Sequence, residues 1–224
     1  MREPDANQAR TQRFYSATAI IHVIITISGL PGSGKSTLAK NLAKALGFRR
    51  YSVGDLRGRM AMERGMTIDE LNEIGYKEEW VHKEADAYQA RLGKNEENFT
   101  IDSWLGFHFI PHSVKIFLEV DPEVGARRVF RDQRPDEKPA ESVAETRSML
   151  ENRMVTMDEQ YKKYYGIDFR KRDNYDLAFD TTNLTREETL QKALEFIKRV
   201  HPREYRKALE SKTERKTTSG SKTD

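Results

Sequence analysis

The chain has 224 residues, 37% hydrophobic and 33% charged, with no cysteine and a mean hydropathy of −0.81. No disulfide scaffold, thiolate nucleophile or cysteine-ligated zinc is available, and the longest apolar run, 19–27, holds His22 and Thr26 and falls far short of the ~18 residues of a membrane span. The formal charge of +3 belongs to one end: from Arg203 onward there are seven basic and four acidic residues, so residues 1–202 sum to zero and nucleic acid is not an expected partner.

This length exceeds the ~150 residues of a typical domain without reaching two, so one domain with inserts is expected. Residues 1–18 are polar and read as a flexible arm. Arg10 and Arg13 ahead of the apolar run imitate a secretory signal, but no small-residue cleavage site follows, and a reducing, cytoplasmic setting is expected. Residues 20–28 are β-branched and apolar, the pattern of a strand covered on both faces in a parallel sheet. Residues 36–46 place Leu38, Leu42, Ala45 and Leu46 at helical spacing, with Gly47 at the C-cap position. A second strand is predicted over 48–53, then helices over 55–64, 67–77 and 83–92, with Thr67 and Glu70 forming a capping box. Strands at 98–102 and 114–120 precede helices at 122–132 and 140–165, which flank a charged loop at 133–139. A last strand is expected at 175–180 and a last helix at 186–200, with Leu190, Ala193, Leu194 and Ile197 on one face. Almost nothing is apolar after Leu209, so 203–224 reads as a disordered charged tail. Strands alternating with helices predict an α/β fold, a parallel sheet wrapped by helices.

The run Gly29-Leu30-Pro31-Gly32-Ser33-Gly34-Lys35-Ser36-Thr37 fits G-x-x-x-x-G-K-[ST], with an apolar strand before it and an amphipathic helix after. Glycines at 29, 32 and 34 let successive backbone N–H groups turn toward a phosphate, and the following helix adds its positive end. Lys35 is expected to reach the β- and γ-phosphates of a nucleoside triphosphate, and Ser36 to ligate Mg²⁺. A base-reading N-K-x-D tetrad is missing, which argues against a switch, and the chain is too short for a multidomain motor. A small kinase remains. Asp102 ends a strand at the carboxyl edge of the sheet, where it can hold Mg²⁺ or serve simply as a turn residue. Arg127, Arg128, Arg131, Arg134, Arg147 and Arg153 straddle the 133–139 loop, a composition that suits a closing lid and equally a solvated helix face; Arg128, Arg131, Arg134 and Arg153 are the catalytic candidates with Lys35. No histidine pair has metal-ligand spacing, since Pro111 separates His108 from His112. Leu150, Met154, Met157, Tyr161 and Tyr164 form a stripe that reads as core or lid packing.

These residues resemble the short, archaeal-type cytidylate kinases, relatives of the adenylate kinases, over about 21–200. The likeness rests on the phosphate loop, on Ser52-Val53-Gly54-Asp55-Leu56 and on Met60-Ala61-Met62-Glu63-Arg64-Gly65-Met66-Thr67. It continues through Val120-Asp121-Pro122, Tyr161-Lys162-Lys163-Tyr164-Tyr165-Gly166-Ile167-Asp168 and Asn174-Tyr175-Asp176-Leu177-Ala178-Phe179-Asp180-Thr181. The resemblance implies a three-layer P-loop NTPase fold over 19–202, with a helical monophosphate-binding subdomain at about 54–95 and a lid at about 128–155. It implies transfer of the γ-phosphoryl of ATP to CMP or dCMP with Mg²⁺. A monomer is expected, and Ser52, Asp55, Arg57, Arg59, Asp86, Asp102 and Trp104 are the acceptor-side candidates. Three positions depart from that pattern. Gly58 stands where an acceptor-phosphate arginine is usual, Ser103-Trp104 where Gly-Arg is usual, and His82 where aspartate is common. Charge-assisted contacts are worth ~1.5 to 3 kcal/mol each, so losing two weakens an acceptor phosphate by ~10² to 10⁴. Two readings fit. Arg57 or Arg59 replaces the lost arginine, or the acceptor end is remodelled for another small molecule or for binding without transfer. In the second, Trp104 is a stacking platform, unless it is simply core, His82 is a polar contact, and Asp55 or Asp86 is the base for a hydroxyl acceptor.

Overall fold

The computed structural model describes residues 23–219, with side chains to 210; the expected arm at 1–18 and the start of the first strand lie outside them. Five strands, β1 (Ile24–Gly29), β2 (Arg49–Ser52), β3 (Phe99–Asp102), β4 (Val114–Glu119) and β5 (Leu177–Asp180), form one parallel sheet in the order β2-β3-β1-β4-β5. All six residues of β1 are buried, as a strand with helices on both faces requires. The order reverses direction at β1, whose neighbours are β3 and β4. That switch opens a crevice beyond the carboxyl ends of the strands, the place where α/β sheets take ligands.

Helix α1 (Lys35–Leu46) follows β1; α2 (Val53–Met62), α3 (Ile68–Lys77) and α4 (Trp80–Asn95) are inserted between β2 and β3. A short helix α5 (Gly106–Phe109) precedes β4, α6 (Pro122–Arg131) and the long α7 (Val143–Tyr165) precede β5, and α8 (Arg186–Val200) and α9 (Pro202–Ser219) complete the described chain. On one face of the sheet Ile25, Ile27, Ile116 and Leu118 pack with Leu38 and Leu42 of α1 and Ala193 and Ile197 of α8. On the other, Ile24, Phe99 and Ile101 meet Ala85 and Leu92 of α4, while Phe117 meets Met157 and Tyr161 of α7. Helices, sheet and helices make the expected three layers. Among the described residues no helix is long and apolar enough to cross a membrane.

Boundaries differ where a side chain caps a helix. The strand expected to run to Val53 stops at Ser52, whose hydroxyl accepts from Asp55 N at 3.2 Å and starts α2. Helix α7 begins at Val143 rather than 140 because Ser142 accepts from Glu145 N at 3.1 Å. The tail requires a correction. Pro202–Ser219 is helical where disorder is expected from 203, and Ala208, 2% exposed, and Tyr205 pack onto the cluster of α1 and α8. Composition alone misses this because two apolar residues three apart suffice to dock one turn of helix. Ala208→Asp puts an unpaired carboxylate there and is expected to cost about 2–4 kcal/mol, read as a lower urea midpoint; an unchanged midpoint would show α9 undocked.

Candidate active site

The turn between β1 and α1 owes its shape to close backbone approaches. A Cβ on Gly29 would stand 2.3 Å from Leu118 O of β4, and one on Gly32, which has φ +71°, 2.3 Å from Gly125 O of α6. Only glycine fits such contacts. The turn opens onto a cavity of about 910 Å³ bordered by Pro31, Gly32, Ser33, Gly34, Lys35, Ser36 and Thr37. The Ser33 hydroxyl is buried there without a hydrogen-bond partner. Lys35 Nζ donates to Leu30 O at 3.1 Å. Surrounding protein desolvates the ammonium and lowers its pKa to about 8, with Asp102 opposing the shift and the Arg153 and Arg134 charges adding to it. An orphaned donor and a desolvated cation around exposed backbone N–H groups are what a polyphosphate would satisfy.

Asp102, 5% exposed, is the hub beside this turn. Its Oδ2 accepts from Ser36 Oγ at 2.9 Å and Ser52 Oγ at 2.8 Å, and its Oδ1 from Arg50 Nη2 at 3.0 Å. Arg50 also donates to Asp55 Oδ2 at 3.2 Å. Ser36 and Asp102 therefore meet as a hydroxyl and a carboxylate, hard oxygen donors that suit Mg²⁺. Among the described residues no three acidic or histidine side chains cluster to hold a metal, so a cation here would take its remaining ligands from phosphate and water.

The far end of the cavity lies under α2, α3 and α4. Arg57 is 8% exposed and donates to Val81 O at 3.2 Å and Asn72 Oδ1 at 2.7 Å. Among the described residues no carboxylate pairs with it, and although burial lowers its pKa a guanidinium stays charged. Arg59, the other candidate, is exposed on α2 and does not border the cavity. His82 is buried with Nε2 3.2 Å from Gly75 O, and burial first, then the Arg57 charge, lower its pKa to about 4, so it is neutral at pH 7. Burial pushes Asp86 up to about 6 against the Tyr165 hydroxyl, which donates to it, and the Arg57 charge. Gln89 Oε1 accepts from Ser103 Oγ at 2.6 Å. Trp104 combines both readings: it borders the cavity with Lys35 Nζ 6.0 Å from its ring centroid, and it also stacks on Phe169 and donates from Nε1 to Gly29 O at 3.0 Å.

The arginines separate by partner. Arg127 and Arg147 pair with glutamates on exposed helix faces. Among the described residues Arg128 donates to Gly32 O, Thr181 Oγ1 and O, and Thr182 O, a strut between the phosphate loop and the end of β5. Arg131 borders the cavity and, among the described residues, makes no ion pair. Arg134 joins Asp55 to Asp136, and Arg153 holds Asp69 with two bonds, 2.8 and 3.0 Å, and Glu137 with a third. Burial works against the Arg153 charge, but the Asp69 bond and both carboxylates raise its pKa overall. Ser52 and Asp55 do not border the cavity and act through Asp102, Arg50 and Arg134. Sequence reasoning missed Arg50, Asn72 and Gln89. An arginine in the short strand two residues ahead of the S-x-G-D turn was a usable signal for Arg50; for the other two there was none.

Residues 24–183 match the model of the cytidylate kinase-like family. A protein named cytidylate kinase from Methanothrix thermoacetophila is 35% identical over 176 residues, 79% of this chain and 98% of that protein. A protein named S-adenosylmethionine-dependent nucleotide dehydratase from Lacinutrix mariniflava is also 35% identical, over 76% of this chain; the chain spans about a third of its length, 35%. The crystal structure of a shikimate kinase from Bacteroides thetaiotaomicron superposes with a TM-score of 0.54 at 18% identity, covering 79% of this chain and 98% of that one, a likeness of the three-layer P-loop fold.

Lys35 predicts a pH dependence. A cation whose pKa falls to about 8 on folding, from 10.5, binds fewer protons in the folded state between those values, so it adds stability as pH rises through that window and costs stability in full below it. Lys35→Met is therefore expected to be more stable than the parent at pH 7, by about 1–3 kcal/mol, with the difference shrinking by pH 10 in urea titrations.

Proposed function

Because the chain belongs to the cytidylate kinase-like family, we propose that it transfers the γ-phosphoryl group of ATP, with Mg²⁺, to a nucleoside monophosphate, CMP or dCMP. What carries the reading is the pairing of two ends in one cavity: Lys35, Ser36 and Asp102 at the phosphate loop, and opposite them the buried cation Arg57, whose hydrogen bonds go to neutral groups and whose charge is felt by Asp86 without an ion pair among the described residues. Helices α2–α4, about 54–95, act as the acceptor subdomain and 128–155 as the lid. Both named relatives act on nucleotides, which agrees with a nucleotide acceptor.

The residues divide the work by charge. The loop N–H groups and Lys35 hold the β- and γ-phosphates, and the low pKa of Lys35 returns to the ordinary range once an anion compensates it. Ser36 and Asp102 would hold Mg²⁺, which neutralises phosphate oxygens. Arg57 grips the acceptor phosphate in place of the arginine missing at 58, with neutral His82 adding no second charge beside it. Arg131 faces the moving phosphoryl from the lid side. No general base is needed, because an acceptor phosphate is already a nucleophile and catalysis is positioning and charge stabilisation.

Incubating the protein with ATP·Mg²⁺ and CMP, dCMP, UMP, AMP or GMP should form ADP fastest with a cytidine nucleotide and not at all in Lys35→Ala. Arg57→Met should raise the acceptor KM about 10- to 100-fold with the ATP KM nearly unchanged. If no monophosphate raises ADP above background while ATP still binds, the acceptor assignment fails. ADP formed instead with a hydroxyl acceptor and abolished in Asp86→Asn would establish a different small-molecule kinase.

A further inference from the structure

The lid tip is seated on the acceptor helices by contacts that phosphoryl transfer does not itself require. Ile68 N, the first residue of α3, donates to Asp136 O at 2.8 Å. The Asp136 side chain is 3% exposed; its Oδ1 accepts from Arg134 Nε at 3.0 Å, and its Oδ2 is buried with no hydrogen-bond partner. Asp136 fills the notch left by Gly58 on α2. A Cβ there would stand 2.3 Å from Asp136 Oδ2, 2.8 Å from Cγ and 3.2 Å from its Cβ, so any side chain at 58 displaces the whole carboxyl group.

Arg134 extends from that carboxylate across the first turn of α2. Its Nη2 donates to Asp55 Oδ1 at 3.2 Å, and its Nη1 lies 3.5 Å from where a Cβ on Gly54 would stand. Its charge also lowers the pKa of Lys35, so it lies within electrostatic reach of the phosphate loop. A buried carboxylate oxygen lacking a donor is costly, and the ion pair to Arg134 offsets that cost; removing either partner releases the other. The absent side chain at 58 and the intruding carboxylate at 136 are thus two halves of one joint.

We propose that Asp136 is a positioning residue which, seated on Gly58, sets Arg134 over the first turn of α2 at the border of the cavity, so that the acceptor anion is clamped by an arginine carried on the lid together with Arg57. The inference rests on the kinase reading and deepens it. Restoring an arginine at 58 would not restore a lost grip, because that side chain and the seated Asp136 exclude each other.

The test uses the full chain, ATP·Mg²⁺ and the best monophosphate. Asp136→Ala and Gly58→Ala should each raise the acceptor KM about tenfold while the ATP KM stays within about twofold. The double variant should be no worse than either single one, because both break the same joint. Asp136→Asn, which keeps the shape and loses the charge, should fall between parent and Asp136→Ala. Hydrogen exchange at the Ile68 amide should quicken in Asp136→Ala and Gly58→Ala. Equal increases in both KM values, additive single effects or an unchanged acceptor KM in Gly58→Ala would overturn the proposal. If the parent phosphorylates no monophosphate, the kinase reading fails separately. The seat is then judged by Ile68 exchange and by affinity for inorganic phosphate, and a Gly58→Ala variant that alters neither overturns it.

Discussion

One buried carboxylate holds the site together. Asp102 closes β3 and takes hydrogen bonds from Ser36 at the start of α1, Ser52 at the cap of α2 and Arg50 within β2. The parallel register makes this possible: Asp102 stands opposite Ser52, so the carboxyl ends of β2 and β3 come level, and opposite Ile27, two residues short of the end of β1. A charge with 5% exposure is tolerated only while its donors stay in place, which ties the phosphate loop and the start of α2 to one point. The crevice beyond it exists because the strand order reverses at β1.

Charge works here by partner and not by number. Residues 1–202 sum to zero, yet the cavity collects cations with very different freedom. All five of Arg57, Arg128, Arg131, Arg134 and Arg153 border the cavity, but Arg128 donates to backbone carbonyls and the Thr181 hydroxyl, and Arg134 and Arg153 bind carboxylates of α2, of α3 and of the 133–139 segment, whereas Arg131 and Arg57 make no ion pairs among the described residues. His82 stays neutral beside Arg57, so the end of the cavity under α2, α3 and α4 presents one buried positive charge whose hydrogen bonds go to neutral groups.

Local features were legible. The strand, glycine-rich turn and helix around Lys35, the capping box at Thr67 and Glu70 and the left-handed cap at Gly47 all form where near neighbours in sequence require them. Errors arose where a side chain or a distant surface intervened: Ser52 and Ser142 moved helix starts, and docking against α1 and α8 ordered a segment whose average composition reads as disordered. The two-way reading of Trp104 dissolved because one face of the ring packs on Phe169 while the residue still borders the cavity.

The sequence by itself determined the parallel α/β class, the phosphate loop, Ser36 and Asp102 as separate candidate metal ligands and the family likeness, because those depend on backbone torsion, hydrophobic period and short motifs, while their meeting across 66 residues was left to the fold. Tertiary structure alone decided that Arg57 and not Arg59 borders the cavity, that Arg50 braces Asp102 from 52 residues away, and that the space beside Gly58 is filled by Asp136 of the 133–139 segment. Hydrogen bonds and ion pairs are chosen by proximity in space, and two positions far apart in the chain carry no mark of each other until the sheet and its inserted helices bring them together.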